Sequence, residues 1–197
     1  MTKQTRSIHQ MRGYSIVELL VSLTLIMIFS AFAVPSLTRT YRAYQMDDLA
    51  SQVAGQLKFT RYEAIRRNNP IACLNNPQNG ILTMFTDQIA AGGVGNGVLD
   101  PTERRILFPA NSPGTLVAAG AVPSSGTLAA VVGAGALTSV NPNNDVLTFD
   151  GRGAKTTAGA SVYWVGNAVY GWRAVTVLPS GSVQIWSFAT GAWVQLG

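Results

Sequence analysis

The N-terminal part of the chain carries two successive hydrophobic patterns, and both predict helix. Residues 16–34 are apolar apart from Glu18 and the small hydroxyl residues Ser22, Thr24 and Ser30. As an α-helix these 19 residues extend about 28 Å, which is roughly the thickness of a bilayer core. No second run of this kind follows, so the sequence predicts one membrane-spanning segment.

After Pro35 the apolar residues recur at three- and four-residue steps, which predicts an amphipathic helix to about Arg67. The stripe consists of Leu37, Tyr41, Tyr44, Leu49, Val53, Leu57, Ala64 and Ile65. We interpret it as a face packed on a sheet, and a coiled-coil partner helix is the less favoured alternative. Residues 68–70, Asn-Asn-Pro, end the helix because the residue before a proline disfavours the α region.

From Ile71 onward short apolar segments alternate with turn residues, which predicts β-strands. The predicted strands are Ile71–Leu74, Ile81–Thr86, Arg105–Phe108, Val146–Phe149, Ser161–Val165, Trp172–Leu178, Ser182–Trp186 and Ala192–Gln195. Residues 179–181, Pro-Ser-Gly, are typical of a hairpin turn. The predicted fold class is α+β, with a long helix packed on an antiparallel β-sheet head.

One stretch of the head has an unusual composition. Residues 106–144 contain no charged side chain and are rich in Ala, Gly, Pro, Ser and Asn. Because its apolar runs are short and broken by glycine, we predict a long loop or an inserted hairpin. We place this insertion at about residues 109–145 and interpret it as a candidate partner surface without chemistry.

The net charge of +5 comes mainly from the N-terminus. Lys3, Arg6 and Arg12 precede the apolar run without any acid, which leaves 11 basic and 9 acidic residues from Tyr14 onward. A basic segment before an apolar helix is a membrane-orientation signal whose positive end stays in the cytoplasm. The sequence therefore predicts a head outside the cytoplasm.

Two export signals compete at the N-terminus. A general secretory signal peptide would be cut near residues 31–33, Ala-Phe-Ala. Residues 11–20, MRGYSIVELL, instead resemble the start of type IV pilins and pseudopilins. The resemblance implies a leader of residues 1–13 that is cut between Gly13 and Tyr14, N-methylation of Tyr14, and a helix kink at Pro35. Tyr14 departs from the phenylalanine usual in that family but is still aromatic.

The carboxylate of Glu18 lies in an apolar segment, where a charge is costly, so we expect it to have a use. The resemblance implies that Glu18 pairs with the amino terminus of mature Tyr14, in its own or a neighbouring subunit. Such a pair neutralises two charges within an apolar bundle of helices and sets the axial register. The implied domains are then the leader, a membrane and filament-core helix over residues 14–35, and a periplasmic head over residues 36–197.

Several segments of the head resemble the GspH/FimT-type pseudopilin family. In chain order they are Tyr62–Arg67, Pro70–Cys73, Met84–Asp87, Gly95–Asp100 with Glu103, and Thr148–Gly153. The resemblance implies a non-enzymatic minor pilin or pseudopilin of a type IV pilus or type II secretion pseudopilus, in a priming or tip role. Its partners would be prepilin peptidase, other pilins, the inner-membrane assembly platform and membrane lipid.

Two alternative functions are weaker. Some members of the family bind DNA through a glycine-arginine-x-arginine turn, but residues 181–184 are Gly-Ser-Val-Gln here. Arg152, Lys155 and Arg173 are the candidate phosphate contacts, and three scattered cations make a weak electrostatic footprint. A DNA-binding subunit displayed on the filament is therefore the second hypothesis, and a secreted binding module is the third.

The sequence does not predict catalysis, a metal or a cofactor. His9 is the single histidine and lies in the predicted leader, and Cys73 is the single cysteine, which we interpret as a small buried hydrophobe. Oxygen ligands at Asp87, Asn96, Asp100 and Glu103 lack the alternate spacing of an EF-hand. A polar turn is favoured there over a calcium site.

Overall fold

Residues 15–78, 81–87, 95–108, 115–117, 122, 125–167 and 169–196 are described by the computed structural model. The chain divides into two units, one of residues 1–40 and one of residues 41–197. The second unit contains the sheets and the hydrophobic core.

Helix α1 runs over Ile16–Arg67 without interruption and includes Pro35. It ends where Asn68 adopts a left-handed backbone with φ of 48°. The N–H groups of Asn68 and Asn69 bond to carbonyls of the last turn, which is the Schellman pattern of helix termination. The predicted end of the helix is confirmed, and the kink at Pro35 stays a prediction.

The head contains two sheets. Their strands are β1 (Ile71–Gln78), β2 (Ile81–Asp87), β3 (Arg105–Phe108), β4 (Thr115–Val117), β5 (Leu137–Ser139), β6 (Asp145–Phe149), β7 (Ala160–Asn167), β8 (Gly171–Val177), β9 (Val183–Ala189) and β10 (Ala192–Gln195). The first sheet is antiparallel in the order β3-β2-β1-β6. The second has the order β10-β9-β8-β7-β4, and β5 pairs with β7 in parallel. All eight predicted strands are present, so the α+β class is confirmed.

The main core lies between one face of α1 and the two sheets. From the helix it takes Leu49, Val53, Leu57 and Ala64. From the sheets it takes Ile71, Cys73, Leu147, Phe149, Tyr163, Val165, Val175 and Val177. Burying each of the Val, Leu, Ile and Phe side chains stabilises the fold by roughly 1.5–3 kcal/mol before conformational entropy is counted.

Half of the predicted apolar stripe on α1 is wrong. Tyr41, Tyr44 and Ile65 are exposed in the head, and Leu37 is exposed in the first unit. The buried face instead follows Met46, Ala50, Ala54, Gln56 and Thr60 alongside the confirmed positions. Small and polar side chains form part of the buried face, so a search for large apolar residues at helical spacing does not identify it.

The prediction of a loop or hairpin in residues 109–145 is also wrong for the part that the structure describes. Helix α2 (Ser125–Val132) lies in this stretch, and β5 follows it. Leu128 of α2 is fully buried against the outer face of the second sheet, in a cluster with Trp164, Trp186 and Trp193. Because both faces of β7 are covered, Val162 to Val165 are all buried.

Gly55 gives the first prediction. It lies inside α1, and a Cβ at this position would meet no atom within 4 Å. Gly55→Ala should therefore raise the free energy of unfolding by about 0.5–1 kcal/mol, because glycine is a poor helix former. Denaturant unfolding of the full-length protein in detergent measures this. Gly181→Ala is the control and should destabilise, since φ is 79° there and the added Cβ would collide with the carbonyl of Gly153.

Candidate functional site

The first unit exposes a continuous apolar helical surface. Ile16 is 80% exposed and Val34 is 58% exposed, and the large apolar side chains between them are exposed as well. Within the residues that the structure describes, α1 is the one helix long and apolar enough to cross a membrane. An uncovered surface of this size is unfavourable in water, so it requires lipid or other helices around it.

Glu18 lies in the first turn of this helix and is exposed. The hydroxyls beside it are satisfied within the helix, because Ser22 Oγ donates to the backbone carbonyl of Glu18 at 2.7 Å and Thr24 Oγ1 donates to that of Val21 at 2.8 Å. The Glu18 carboxylate is thus the charged group of the apolar surface. Gly13 and Tyr14 lie outside the described residues, so the cleavage, the methylation and the charge pair stay predictions.

A buried polar network fixes α1 to the first sheet. Gln56 Nε2 donates to Thr86 Oγ1 at 2.8 Å and to the carbonyl of Arg104 at 2.7 Å. Thr60 Oγ1 lies 2.7 Å from the same Thr86 hydroxyl. These bonds join the helix to β2 and to the start of β3. Sequence analysis missed them because Gln and Thr on a helix resemble surface positions.

The three candidate phosphate contacts do not form one exposed set. Arg152 is exposed. Lys155 is buried, its Nζ donates to Ser161 Oγ at 2.8 Å, and burial lowers its pKa. Arg173 is buried and pairs through Nε with Asp47 on α1. Two of the three cations are therefore committed to contacts inside the head.

All eight acidic side chains of residues 41–197 accept hydrogen bonds from within the head. They are Asp47, Asp48, Glu63, Asp87, Asp100, Glu103, Asp145 and Asp150. The carboxylate of Asp87 accepts the N–H of Gly97 at 2.9 Å, and that of Glu103 accepts the N–H of Asp100 at 2.9 Å. These are the bonds of a polar turn.

Glu63 is the acidic side chain with two arginine partners in the last turn of α1. Its carboxylate accepts from Arg66 at 2.6 Å and from Arg67 at 3.1 Å. The hydrogen bond from Arg66 is the main reason that the pKa of Glu63 is lowered, and burial opposes it. The two arginines therefore keep Glu63 ionised, and the Glu63 carboxylate in turn holds both guanidinium groups in place at the last turn of α1.

The single cysteine and the tryptophans are interior residues. Cys73 is fully buried, and burial raises its pKa to about 12, so its thiol stays protonated and unreactive. Trp164, Trp186 and Trp193 are at most 5% exposed. The sequence-based interpretation of Cys73 as a small buried residue is confirmed.

This arrangement defines the class of protein. An exposed apolar helix continues into a helical face packed on antiparallel sheets, which is the plan of a pilin-like subunit with one N-terminal anchor helix. The family model described as type II transport protein GspH matches residues 49–181. The chain belongs to this family of pilins and pseudopilins.

Solved structures and curated proteins add two further comparisons. The type IV minor pilin FimU of Pseudomonas aeruginosa strain PAO1, in its P21 crystal form, has 14% identity and a TM-score of 0.48, with 77% of this chain and 93% of FimU covered. The P65 form gives 15% identity, a TM-score of 0.44, and coverage of 71% and 90%. A search of curated proteins gave no match.

Arg173 and Arg152 give a matched pair of variants. Arg173→Ala should lower the free energy of unfolding by about 1–2 kcal/mol, because it removes a nine-tenths buried partner of Asp47. Arg152→Ala should change it by less than about 0.5 kcal/mol, since the side chain is exposed. Equal effects of the two variants in chemical denaturation would contradict the placement of Arg173.

Proposed function

We propose that the chain is a non-enzymatic minor pilin or pseudopilin. Prepilin peptidase removes residues 1–13, and Tyr14 is N-methylated. The mature protein is held in the inner membrane by one helix, with its N-terminus cytoplasmic and its head periplasmic. It then enters a type IV pilus or a type II secretion pseudopilus, where it primes assembly or occupies the tip.

One observation carries this proposal: residues 16–34 expose apolar side chains on every side, with one carboxylate in the first turn. A simple anchor has no use for Glu18, and removing a charge from lipid would only make insertion more favourable. In a bundle of such helices the carboxylate can be neutralised by the amino terminus of Tyr14. The membership of the GspH family supports the same conclusion.

The two alternatives have less support. For DNA binding, Arg152 is the one candidate contact left exposed out of three, whereas salt-dependent affinity for DNA requires several phosphate contacts. A salt-dependent gel-shift assay tests this hypothesis directly. A secreted binding module would require cleavage beyond residue 30. That cut would remove the apolar helix and Glu18 with it, so neither feature would have a role in the mature protein.

The mature N-terminus is the first prediction of this proposal. Mass spectrometry of the protein from its membrane should find a chain that begins at N-methylated Tyr14. Gly13→Leu should block the cut and leave the leader attached. A chain that begins at Val34 would establish the secretory signal instead and remove the basis of the proposal.

Glu18 gives the second prediction. Glu18→Val should leave membrane insertion and cleavage largely intact but lower incorporation into filaments roughly tenfold or more, because one partner of a buried charge pair is lost. The measured quantity is the ratio of subunit in the sheared filament fraction to subunit in the membrane. Ser22→Val is the control one turn further on, and it should behave like the wild type. An unchanged ratio for Glu18→Val would exclude the charge pair.

A further inference from the structure

One end of the head combines the first turns of α1 in the second unit with the turn between β7 and β8. Gly166 of β7 lies against this part of the helix, because a Cβ added there would be 3.2 Å from Cε of Met46. Arg173 of β8 pairs with Asp47 on the next residue of the helix. Both strands are therefore held against α1 close to the turn that joins them.

The opposite end of the same sheet lies farther along α1. A Cβ added to Gly181, which follows the end of β8, would be 2.9 Å from Nε of Arg61. Arg61 lies about 21 Å beyond Asp47 along the helix axis. The strands thus run along α1, and the β7–β8 turn lies toward residues 41–44, where the helix enters this unit.

The chain keeps this end of the head close to the apolar run. Tyr41 follows Val34 by seven residues, which span about 10 Å in a helix and at most about 25 Å when fully extended. A bilayer has a headgroup layer about 5–7 Å deep outside its apolar core. Helical side chains lean toward the helix N-terminus, so a tyrosine here extends back toward that layer.

The side chains exposed at this end suit a boundary between hydrocarbon and polar groups. Tyr41 is 63% exposed, Tyr44 is 68% exposed, and Val169 in the β7–β8 turn is 78% exposed. A tyrosine has an apolar ring that ends in a hydroxyl, which is why tyrosines are enriched where a membrane meets water. We call these three side chains the basal surface.

The charges near the basal surface favour phosphate groups. The guanidinium of Arg42 donates to the neutral side-chain oxygen of Gln45 at 3.2 Å, and that bond does not neutralise it. Asp47 is paired with Arg173, whereas Asp48 is exposed but lies farther along α1 than both tyrosines of the basal surface. Residues 35–46 contain two arginines and no acid. A positive charge therefore lies nearest the apolar run, where it attracts lipid phosphates.

We propose that the basal surface rests on the phospholipid headgroups of the membrane that anchors α1, and that this contact holds the head in one orientation before assembly. The inference rests on the proposed function, since it assumes that residues 16–34 lie in the bilayer. It accounts for large exposed side chains at the end of the head nearest the apolar run. It also requires that the head leave the lipid surface when the anchor leaves the bilayer.

Fluorescence quenching tests this contact in the full-length protein, reconstituted into vesicles of phosphatidylethanolamine and phosphatidylglycerol. A fraction of the lipid carries a nitroxide quencher on its headgroup. Val169→Cys and Tyr44→Cys each place a thiol-reactive fluorophore on the basal surface, and Cys73 is not labelled because it is buried. Ser180→Cys is the control in the exposed turn at the other end of the sheet. Tyr62→Cys is the control on α1, since Tyr62 is 62% exposed and lies five turns beyond Tyr44 on the same face.

Labels at positions 169 and 44 should be quenched roughly five-fold or more above those at positions 180 and 62, because the headgroup layer is only about 5–7 Å deep. These vesicles contain no other subunit, so the quenching reports contact with lipid. Equal quenching at positions 169 and 180 would overturn the proposal in favour of a protein neighbour at the basal surface.

A second measurement separates a lipid contact from closeness that the anchor alone imposes. The double variant Y41S/Y44S removes both rings and should lower the quenching at position 169 roughly twofold or more. Tyr62→Ser is its control and should leave that quenching unchanged. If Y41S/Y44S also leaves it unchanged, the anchor alone keeps the turn near lipid, and the basal surface is not a docking surface.

The outcomes separate the basal surface from the proposed function. If the wild-type protein does not float with the vesicles, residues 16–34 are not a membrane anchor and the proposed function fails. If it floats and Glu18→Val lowers filament incorporation, but labels at positions 169 and 180 are quenched equally, the lipid contact alone is wrong. If Y41S/Y44S does not accumulate, the comparison of the four labels decides.

Discussion

The burial of one face of α1 between two sheets is the interaction on which the rest of the head depends. Leu49, Val53 and Leu57 supply the apolar contacts, but these contacts alone would allow the helix to slide or rotate. The bonds of Gln56 and Thr60 to Thr86 and to the carbonyl of Arg104 have a fixed geometry, and they specify the register. The same bonds therefore fix which face of the helix points outward.

The fold was largely readable from the sequence, for identifiable reasons. Every strand with clear alternation or an apolar run was found, and the bounds of β3 and β10 agree with the prediction. The end of α1 was found because Asn-Asn-Pro combines a residue that tolerates positive φ with a helix breaker. These features depend on the conformational preferences of neighbouring residues, which can be read from a single sequence.

The missed features depend on contacts between distant residues. The ion pair of Asp47 is not visible in the sequence, because its partner Arg173 lies 126 residues further on. Helix α2 was missed because its sequence has no charged residue and many small ones. Its helical conformation is stabilised by the packing of Leu128 against the tryptophans of the second sheet. The same applies to the site. The motif at Glu18 was readable, whereas the buried network of Gln56, Thr60 and Thr86 combines residues of two elements that only the fold brings together.

The two exposed surfaces of the molecule differ in the information they carry. The apolar helix of residues 16–34 can be covered by lipid or by any similar helix, because hydrophobic contact is not directional. Such a surface accounts for entry into a filament but not for a defined position in it. Charged and shaped surfaces discriminate, since a mismatched partner leaves charges repelling or unpaired. In the head, the cations Lys58, Arg104, Arg105 and Arg152 are exposed beside the exposed acid Asp48, so a defined position in an assembly has to be specified by this charged surface rather than by the apolar helix.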